Sequence, residues 1–217
     1  SPTKIAALNT GAVAALSSGQ LRALSDDQLK ALTNAQVAAL TTGQFDALDT
    51  SQLMALSGRQ IAAMETGDLA SLSTDKIAAL TTDQDRKRAA TGKRVDLGGR
   101  RAAIETNDLA VLKKGHWDAF STTQIQALST DQIAGLKRAQ LTMLSTGAVS
   151  ALTTDQIAAL NASRLQSLTS QQIAALTTDQ LTALTTDQVV SLRPDQISDI
   201  SAGRFGSLTT DQVNLRQ

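Results

Sequence analysis

An eight-residue repeat runs through this chain and constrains its fold more than any other feature of the sequence. Counted from Ser1, the 217 residues form 27 octads and one leftover residue. The fifth and the eighth places of the octad are each apolar in 24 of the 27 units, and the register holds from Ile5 to Leu208 without an insertion. A fixed period over so many units indicates a repeat array, in which each unit packs on its neighbours.

The octad contains its own helix start and stop. Eight residues at about 100° each would rotate the apolar stripe by roughly 80° per repeat, so one continuous helix is excluded, and the strict alternation of a strand is absent. In the type unit 153–160, Thr153 and Gln156 have the spacing of a capping box. The threonine hydroxyl accepts the N–H of Gln156, and the glutamine side chain accepts the N–H of Thr153. We therefore predict that each octad is a helix of about two turns, followed directly by the next cap.

The same start signal recurs along the chain. The first place is Ser, Thr, Asn or Asp in 20 octads, and the fourth place is Gln in 16. Both prolines, Pro2 and Pro194, fall at the first helical position, where a missing N–H costs nothing. The sixth place admits Arg22, Lys30 and Asp46, so we expect it to face water. The predicted fold is all-α: an elongated α-solenoid, or superhelix, of about 27 eight-residue repeats, each a short capped helix, with the two apolar ladders inside.

The pattern is interrupted near residues 85–103. Charged residues take three fifth places and two eighth places there, and apolar order returns in phase at Ile104. The sequence thus predicts a solenoid over 1–84, a basic irregular interruption over 85–103 and the same continuous array over 104–217. Residues 85–101 carry a charge of +5, which leaves −5 on the rest of a chain whose formal net charge is zero. We expect a loop, a kink or poor local order here, and the first cut in limited proteolysis.

Three interpretations of this interruption stay open. We favour a solvated irregular segment over a basic patch that meets phosphates or an acidic partner. The third is a pair of compensating frameshifts, which predicts that another reading frame of the coding DNA restores an apolar ladder. The candidate interaction residues are the basic side chains of this segment and the single tryptophan. They are Arg86, Lys87, Arg88, Lys93, Arg94, Arg100, Arg101 and Trp117.

The residues from which catalytic and metal sites are built are scarce. The chain has no cysteine, which excludes disulfides and thiolate metal sites. Its only histidine, His116, stands at a fourth place usually held by Gln, so a polar role at a helix start is favoured over a general base. Trp117 stands at a fifth place, which favours the apolar ladder over a binding hot spot. We predict no enzymatic activity, no metal and no cofactor.

The chain has no segment suited to a membrane. No stretch approaches the roughly 20 apolar residues that span a bilayer, and no charged and apolar leader opens the sequence. We therefore expect no membrane insertion. Because the first residue is Ser1 and not Met, we interpret the chain as a processed product or a segment of something longer.

Two resemblances bear on function. Leu184 to Val190, Leu-Thr-Thr-Asp-Gln-Val-Val, resembles the opening of the DNA-reading repeat of TAL effectors. The second helix and the base-reading dipeptide of that family are missing here, so DNA recognition does not carry over. The whole array, Ile5 to Leu208, is similar to the Leu-Thr/Ser-x-x-Gln-Ile/Leu-x-Ala-Leu tracts of large bacterial surface and secreted repeat proteins. That resemblance implies an exported structural or adhesive segment.

These observations predict a non-enzymatic structural or interaction module. It would be a spacer or a protein-binding scaffold, a segment of a longer bacterial surface or secreted protein, with an extracellular or cell-surface location favoured. The expected partner is an unidentified protein or surface ligand, and the oligomeric state stays open. The alternative is a nucleic-acid-binding α-solenoid that uses residues 85–101, and the acidic charge of the remaining array argues against it.

Overall fold

The computed structural model describes residues 1–80, 108–200, 204 and 206. Over these residues the chain consists of short helices and contains no strand, which confirms the predicted all-α solenoid. The predicted interruption over 85–103 lies outside the described residues. Besides one 3-10 helix, Asp108–Val111, the elements are the α-helices Pro2–Ala6, Thr10–Ala14, Ser18–Arg22, Asp26–Lys30, Asn34–Ala38, Thr42–Ala47, Thr50–Ala55, Gly58–Ile61, Thr66–Ser71, Thr74–Ala78, Lys114–Ala119, Thr122–Ala127, Thr130–Gly135, Arg138–Met143, Thr146–Ala151, Thr154–Ala158, Ala162–Ser167, Ser170–Ala174, Thr178–Thr182, Thr186–Ser191 and Pro194–Ser198.

The helices begin where the octad predicts. In the type unit the hydroxyl of Thr153 accepts the N–H of Gln156 at 3.2 Å, and Oε1 of Gln156 accepts the N–H of Thr153 at 2.8 Å. The same capping box lies at Thr33, Thr41 and Thr177. Two backbone donors that would lack a partner at each helix start are therefore satisfied within the octad.

The helices are shorter than predicted. They span four to six residues, about one and a half turns and not two. The reason lies at the eighth place, where the backbone leaves the helical region: Leu128 has φ −64° and ψ 138°, and Leu192 has φ −61° and ψ 137°. This extended residue turns the chain into the next cap and takes up part of the octad.

Most described helices pack against the helix three octads after them. Ser18–Arg22 contacts Thr42–Ala47 near the start of the chain, and Ala162–Ser167 contacts Thr186–Ser191 further on. Three octads therefore make one turn of the superhelix. The octad itself does not encode this number, because the sequence repeats after one unit and the turn closes only after three.

The chain divides into two compact units, Ser1–Ala119 and Phe120–Gln217. Inside each unit the fifth and eighth places form the core, as predicted. The fully buried fifth-place side chains include Leu21, Leu29, Val37, Phe45, Ile61, Leu69, Ile77, Leu109 and Trp117 in the first unit and Ile133, Leu141, Val149, Ile157, Leu165 and Ile173 in the second. The core of each unit is thus a narrow, mostly aliphatic column.

The sixth places lie on the solvent side of the helices. Arg22, Lys30 and Asp46 are all exposed, as predicted. Val190, also at a sixth place, is the one large apolar side chain that is exposed in the described part of the chain. Within the residues that the structure describes, no helix combines the length and the apolar character needed to cross a membrane.

Candidate functional site

The fourth-place glutamines join one superhelical turn to the turn before it. Oε1 of Gln180 accepts the N–H of Thr177 at 2.8 Å, while its Nε2 donates to the carbonyls of Val149 and Leu152 at 3.0 and 2.6 Å. Those carbonyls belong to the end of helix Thr146–Ala151, four octads upstream, which immediately precedes the octad that lies one turn upstream. A single amide thus caps the start of its own helix and binds the end of another. The carbonyl of Val149 also accepts the N–H of Leu152 at 3.2 Å, so Gln180 supplies its second hydrogen bond.

The same bonds recur in both units, and we call them the glutamine ladder. In the first unit Nε2 of Gln36 donates to the carbonyl of Leu8 at 2.7 Å, and in the second Nε2 of Gln156 donates to the carbonyl of Leu128 at 2.6 Å. These side chains are almost fully buried, and a buried amide stabilises a fold only when its donors and acceptor are all bonded. In the described chain the glutamines of the ladder include Gln36, Gln44, Gln52, Gln60, Gln156, Gln172, Gln180, Gln188 and Gln196.

Basic residues can replace glutamine in this role. Nε of Arg164 donates to the carbonyl of Leu136 at 2.9 Å. Nζ of Lys76 donates to the backbone carbonyl of Asp46, and Arg204 makes a contact of the same kind. Each of these side chains is a hydrogen-bond donor that reaches the end of the helix four octads upstream. A contact of this kind requires a donor at the fourth place, which Ala148 in the second unit lacks, and the capping role alone does not explain the residue types found there.

Asp68 is an exception to this requirement. It holds a fourth place in the first unit and is only 5% exposed, yet a carboxylate has no hydrogen to donate unless it is protonated. Its Oδ1 accepts the hydroxyl of Thr42 at 2.9 Å, and its Oδ2 has no hydrogen-bond partner in the described part of the chain. A buried acceptor without a partner carries a desolvation cost, so this octad is a weak point of the ladder.

His116 replaces glutamine in octad 113–120 and reproduces both of its bonds. Its Nδ1 accepts the N–H of Lys113 at 3.3 Å, and the ring donates to the backbone carbonyl of Met64. The proton therefore lies on Nε2 of a neutral imidazole. Burial, followed by the repulsion of the Lys113 cation, lowers the pKa of His116 below its ordinary value of 6.5. The predicted polar role at a helix start is confirmed, and the bond to Met64 adds a second role.

An open hollow of about 450 Å³ lies beside this imidazole. Glu65 and Lys113, which occupy first places usually held by Ser or Thr, contribute opposite charges to its lining, and His116 contributes the ring. The described residues contain no group of three or more histidine and carboxylate side chains placed to hold a metal ion. The hollow thus combines one neutral imidazole with two exposed residues of opposite charge.

Among the predicted interaction residues, only Trp117 falls within the described part of the chain. It lies on helix Lys114–Ala119 next to His116 and is fully buried in the apolar ladder. A role for Trp117 in binding stays a prediction. The basic candidates lie outside the described residues, and their role stays a prediction too: Arg86, Lys87, Arg88, Lys93, Arg94, Arg100 and Arg101.

Comparison with known families supports the repeat. A family model described as the ALTTAQ repeat matches residues 5–42, 29–58, 61–84, 102–138 and 163–194. Together these stretches cover more than half of the chain and confirm a tract of short repeats. Residues 85–101, where the octad fails, fall between two of the matched stretches. No curated protein matches the chain.

Proposed function

We propose that this chain, which belongs to the ALTTAQ repeat family, is a structural or interaction module without enzymatic activity. In this proposal it serves as a spacer or protein-binding scaffold within a longer bacterial surface or secreted protein. The observation that carries the proposal is the glutamine ladder. Each rung, by which we mean the hydrogen bonds of one fourth-place side chain, fixes a turn to the turn before it through buried hydrogen bonds. Each turn therefore adds a constant length to the array, which is the property that a spacer needs.

A repeated surface supports the scaffold role. Asp131, Asp155 and Asp179 hold the third places of octads that follow one another at intervals of three octads in the second unit, and all three are exposed. The helices that carry them, Thr130–Gly135, Thr154–Ala158 and Thr178–Thr182, pack on one another in that order. A partner on this side meets the same Thr-Asp pair once per turn, so several weak contacts can add up along the array.

Distance measurements within the second unit test the spacer role. Because the chain has no cysteine, spin labels can be attached to pairs of the variants Asp131→Cys, Asp155→Cys and Asp179→Cys. We expect equal, narrow distance distributions for the pairs 131/155 and 155/179, and about twice that distance for the pair 131/179. Deleting the three octads 145–168 is the matched control and should return the 131/179 pair to the single-turn distance. Broad distributions, or a long pair no longer than the short pairs, would contradict the spacer.

The alternative is a nucleic-acid-binding solenoid that uses residues 85–101. Its support is the charge of +5 on that segment and the TAL-like run from Leu184 to Val190. The exposed aspartates of the second unit weigh against it, because they repel phosphates. We expect no measurable binding to random duplex DNA between about 50 and 200 mM salt, the range over which phosphate contacts weaken strongly. Salt-sensitive binding that disappears when Arg86, Lys87 and Arg88 are changed to Gln would favour the alternative.

A further inference from the structure

Two helix pairs in the first unit depart from the three-octad rule, and both depart by the same amount. Helix Gly58–Ile61 packs against the 3-10 helix Asp108–Val111, and helix Thr66–Ser71 packs against helix Lys114–Ala119. Elsewhere in the described chain the partner lies three octads downstream, but here it lies six octads downstream. By the octad count, units 81–88 and 89–96 are due at these two places. The places are taken by octads 105–112 and 113–120.

The interaction of the His116 ring with the backbone carbonyl of Met64 agrees with this displacement. In the regular ladder a fourth-place side chain bonds the eighth-place carbonyl 28 residues upstream, as Gln180 bonds Leu152. His116 also bonds an eighth-place carbonyl, but that carbonyl belongs to Met64, three octads further upstream than the rule places it. Helix packing and the interaction of His116 therefore agree that octads 105–112 and 113–120 lie three octads earlier in the array than their place in the sequence.

We propose that octads 105–112 and 113–120 continue the array directly after octad 73–80. We call the junction of octad 73–80 with octad 105–112 the seam, and residues 81–104 are then not needed for the packing of this turn. The contacts that hold octads 57–72 to octads 105–120 come from the described helices on both sides. This inference goes beyond the proposed function and does not depend on it.

The structure of the octad explains why octad 105–112 can follow octad 73–80 in the array. The capping box lies within a single octad. A rung needs only a donor at the fourth place and a carbonyl at the end of the helix four positions earlier in the array. Any octad can therefore take the next position in the solenoid, whatever length of chain precedes it. Because the entropy cost of closing a loop grows only slowly with its length, the seam should accept inserts that differ in length and composition.

Deletion of residues 81–104, which joins Leu80 to Glu105, is the direct test. We expect the shortened chain to keep the helix content of the parent per remaining octad. It should unfold at the same temperature or a few degrees higher, because less chain has to be ordered between the two sides of the seam. His116, the only histidine, reports on the seam by proton NMR. Its pKa should lie below 6.5 in the shortened chain as in the parent.

Two further variants keep the test decisive if the direct junction is too short. Residues 81–104 are replaced by flexible glycine and serine linkers of twelve and twenty-one residues, neither of which is a multiple of eight. We expect both to fold with the lowered pKa of His116. A deletion of residues 149–152, half an octad, is the control that breaks the register, and it should lower the unfolding temperature strongly.

The outcomes separate clearly. Folding of any of the three seam variants with the lowered pKa of His116 supports the direct continuation of the array across the seam. Loss of folding in all three, or an unshifted pKa of His116 in the parent or in every folded variant, would overturn it. The label distances within the second unit test the spacer separately, so failure of one proposal is distinguishable from failure of the other.

Discussion

Octad 177–184 in the second unit has a glutamine at its fourth place, and octad 65–72 in the first unit has an aspartate there. The different hydrogen bonds of these two side chains show what joins the turns. Gln180 accepts the N–H of its own helix start and donates to two carbonyls of the previous turn. Asp68 stands at the same place but is bonded to the Thr42 hydroxyl through one oxygen, and its other oxygen is buried without a partner in the described chain. The first unit tolerates this defect because the rungs of the neighbouring octads, such as Gln60, are intact.

The largest expected loss of stability comes from replacing Gln180 of the glutamine ladder by a carboxylate, the group that Asp68 has at the same place. Gln180→Glu keeps an oxygen for the capping box, but it removes the donor and buries a negative charge against the carbonyls of Val149 and Leu152. Because an uncompensated buried charge is costly, we expect the free energy of unfolding to fall by about 3 kcal/mol. Urea unfolding followed by circular dichroism measures the loss.

Gln20 offers a matched control for that substitution. It makes the same capping box, with the N–H of Ser17 bonded at 2.8 Å, but it lies in the first turn and is exposed. We expect Gln20→Glu to change the free energy of unfolding by less than about 0.5 kcal/mol. Equal losses at both positions would mean that the amide serves only as a cap, and the ladder would lose its role in stability.

The converse substitution should repair the defect. In Asp68→Gln the buried oxygen without a partner is replaced by an amide that can donate to the end of helix Asn34–Ala38, four octads upstream. We expect the free energy of unfolding to rise by about 1 to 2 kcal/mol, since the desolvation cost of the buried acceptor is removed and the bond to Thr42 is lost. Asp75→Gln, at an exposed third place, controls for the loss of one negative charge and should be neutral or slightly destabilising. A loss of stability in Asp68→Gln would show that the carboxylate is required where it stands.

A smaller effect is expected from the first place of octad 177–184. Thr177→Ala removes the hydroxyl that accepts the N–H of Gln180 at 3.2 Å, while the amide of Gln180 keeps its bonds to the previous turn. Loss of a helix N-cap costs about 1 kcal/mol, and we expect that value from urea unfolding. Thr177→Ser retains the hydroxyl and should stay within a few tenths of the parent. A loss as large as that of Gln180→Glu would mean that the cap, and not the contact between turns, dominates the octad.

The fold could be predicted because its two main signals are local. The capping box places the helix starts at Thr153 and Thr177, and the apolar fifth and eighth places define the core, whatever the arrangement of the helices. The number of octads per turn could not be predicted in this way. It depends on the angle at which an extended residue such as Leu128 leads one helix into the next, and no spacing in the sequence records that angle. The shorter helices have the same origin.

The site was predictable only in part. A capping box accepts Glu as well as Gln, and the positive end of a helix favours Glu. Yet 16 fourth places are Gln and none is Glu, which signals that the amide hydrogens are used. Identifying their acceptors requires knowing that three octads make a turn. The polar role of His116 followed from its place in the octad, but its bond to Met64 did not, because that bond crosses the seam.

His116 gives the subtlest prediction, because at neutral pH its imidazole already replaces a glutamine. Its pKa in the folded chain lies below the ordinary value of 6.5, so between these two values the unfolded chain holds a proton that the folded chain does not. Stability is therefore retained above pH 6.5 and lost as the pH falls from 6.5 through the lowered pKa. His116→Gln should unfold like the parent at pH 7.5 and should lose less stability on acidification, as measured by urea unfolding at several pH values. Parallel profiles for the two proteins would show that the ring is not held neutral at the seam by burial and by the Lys113 cation.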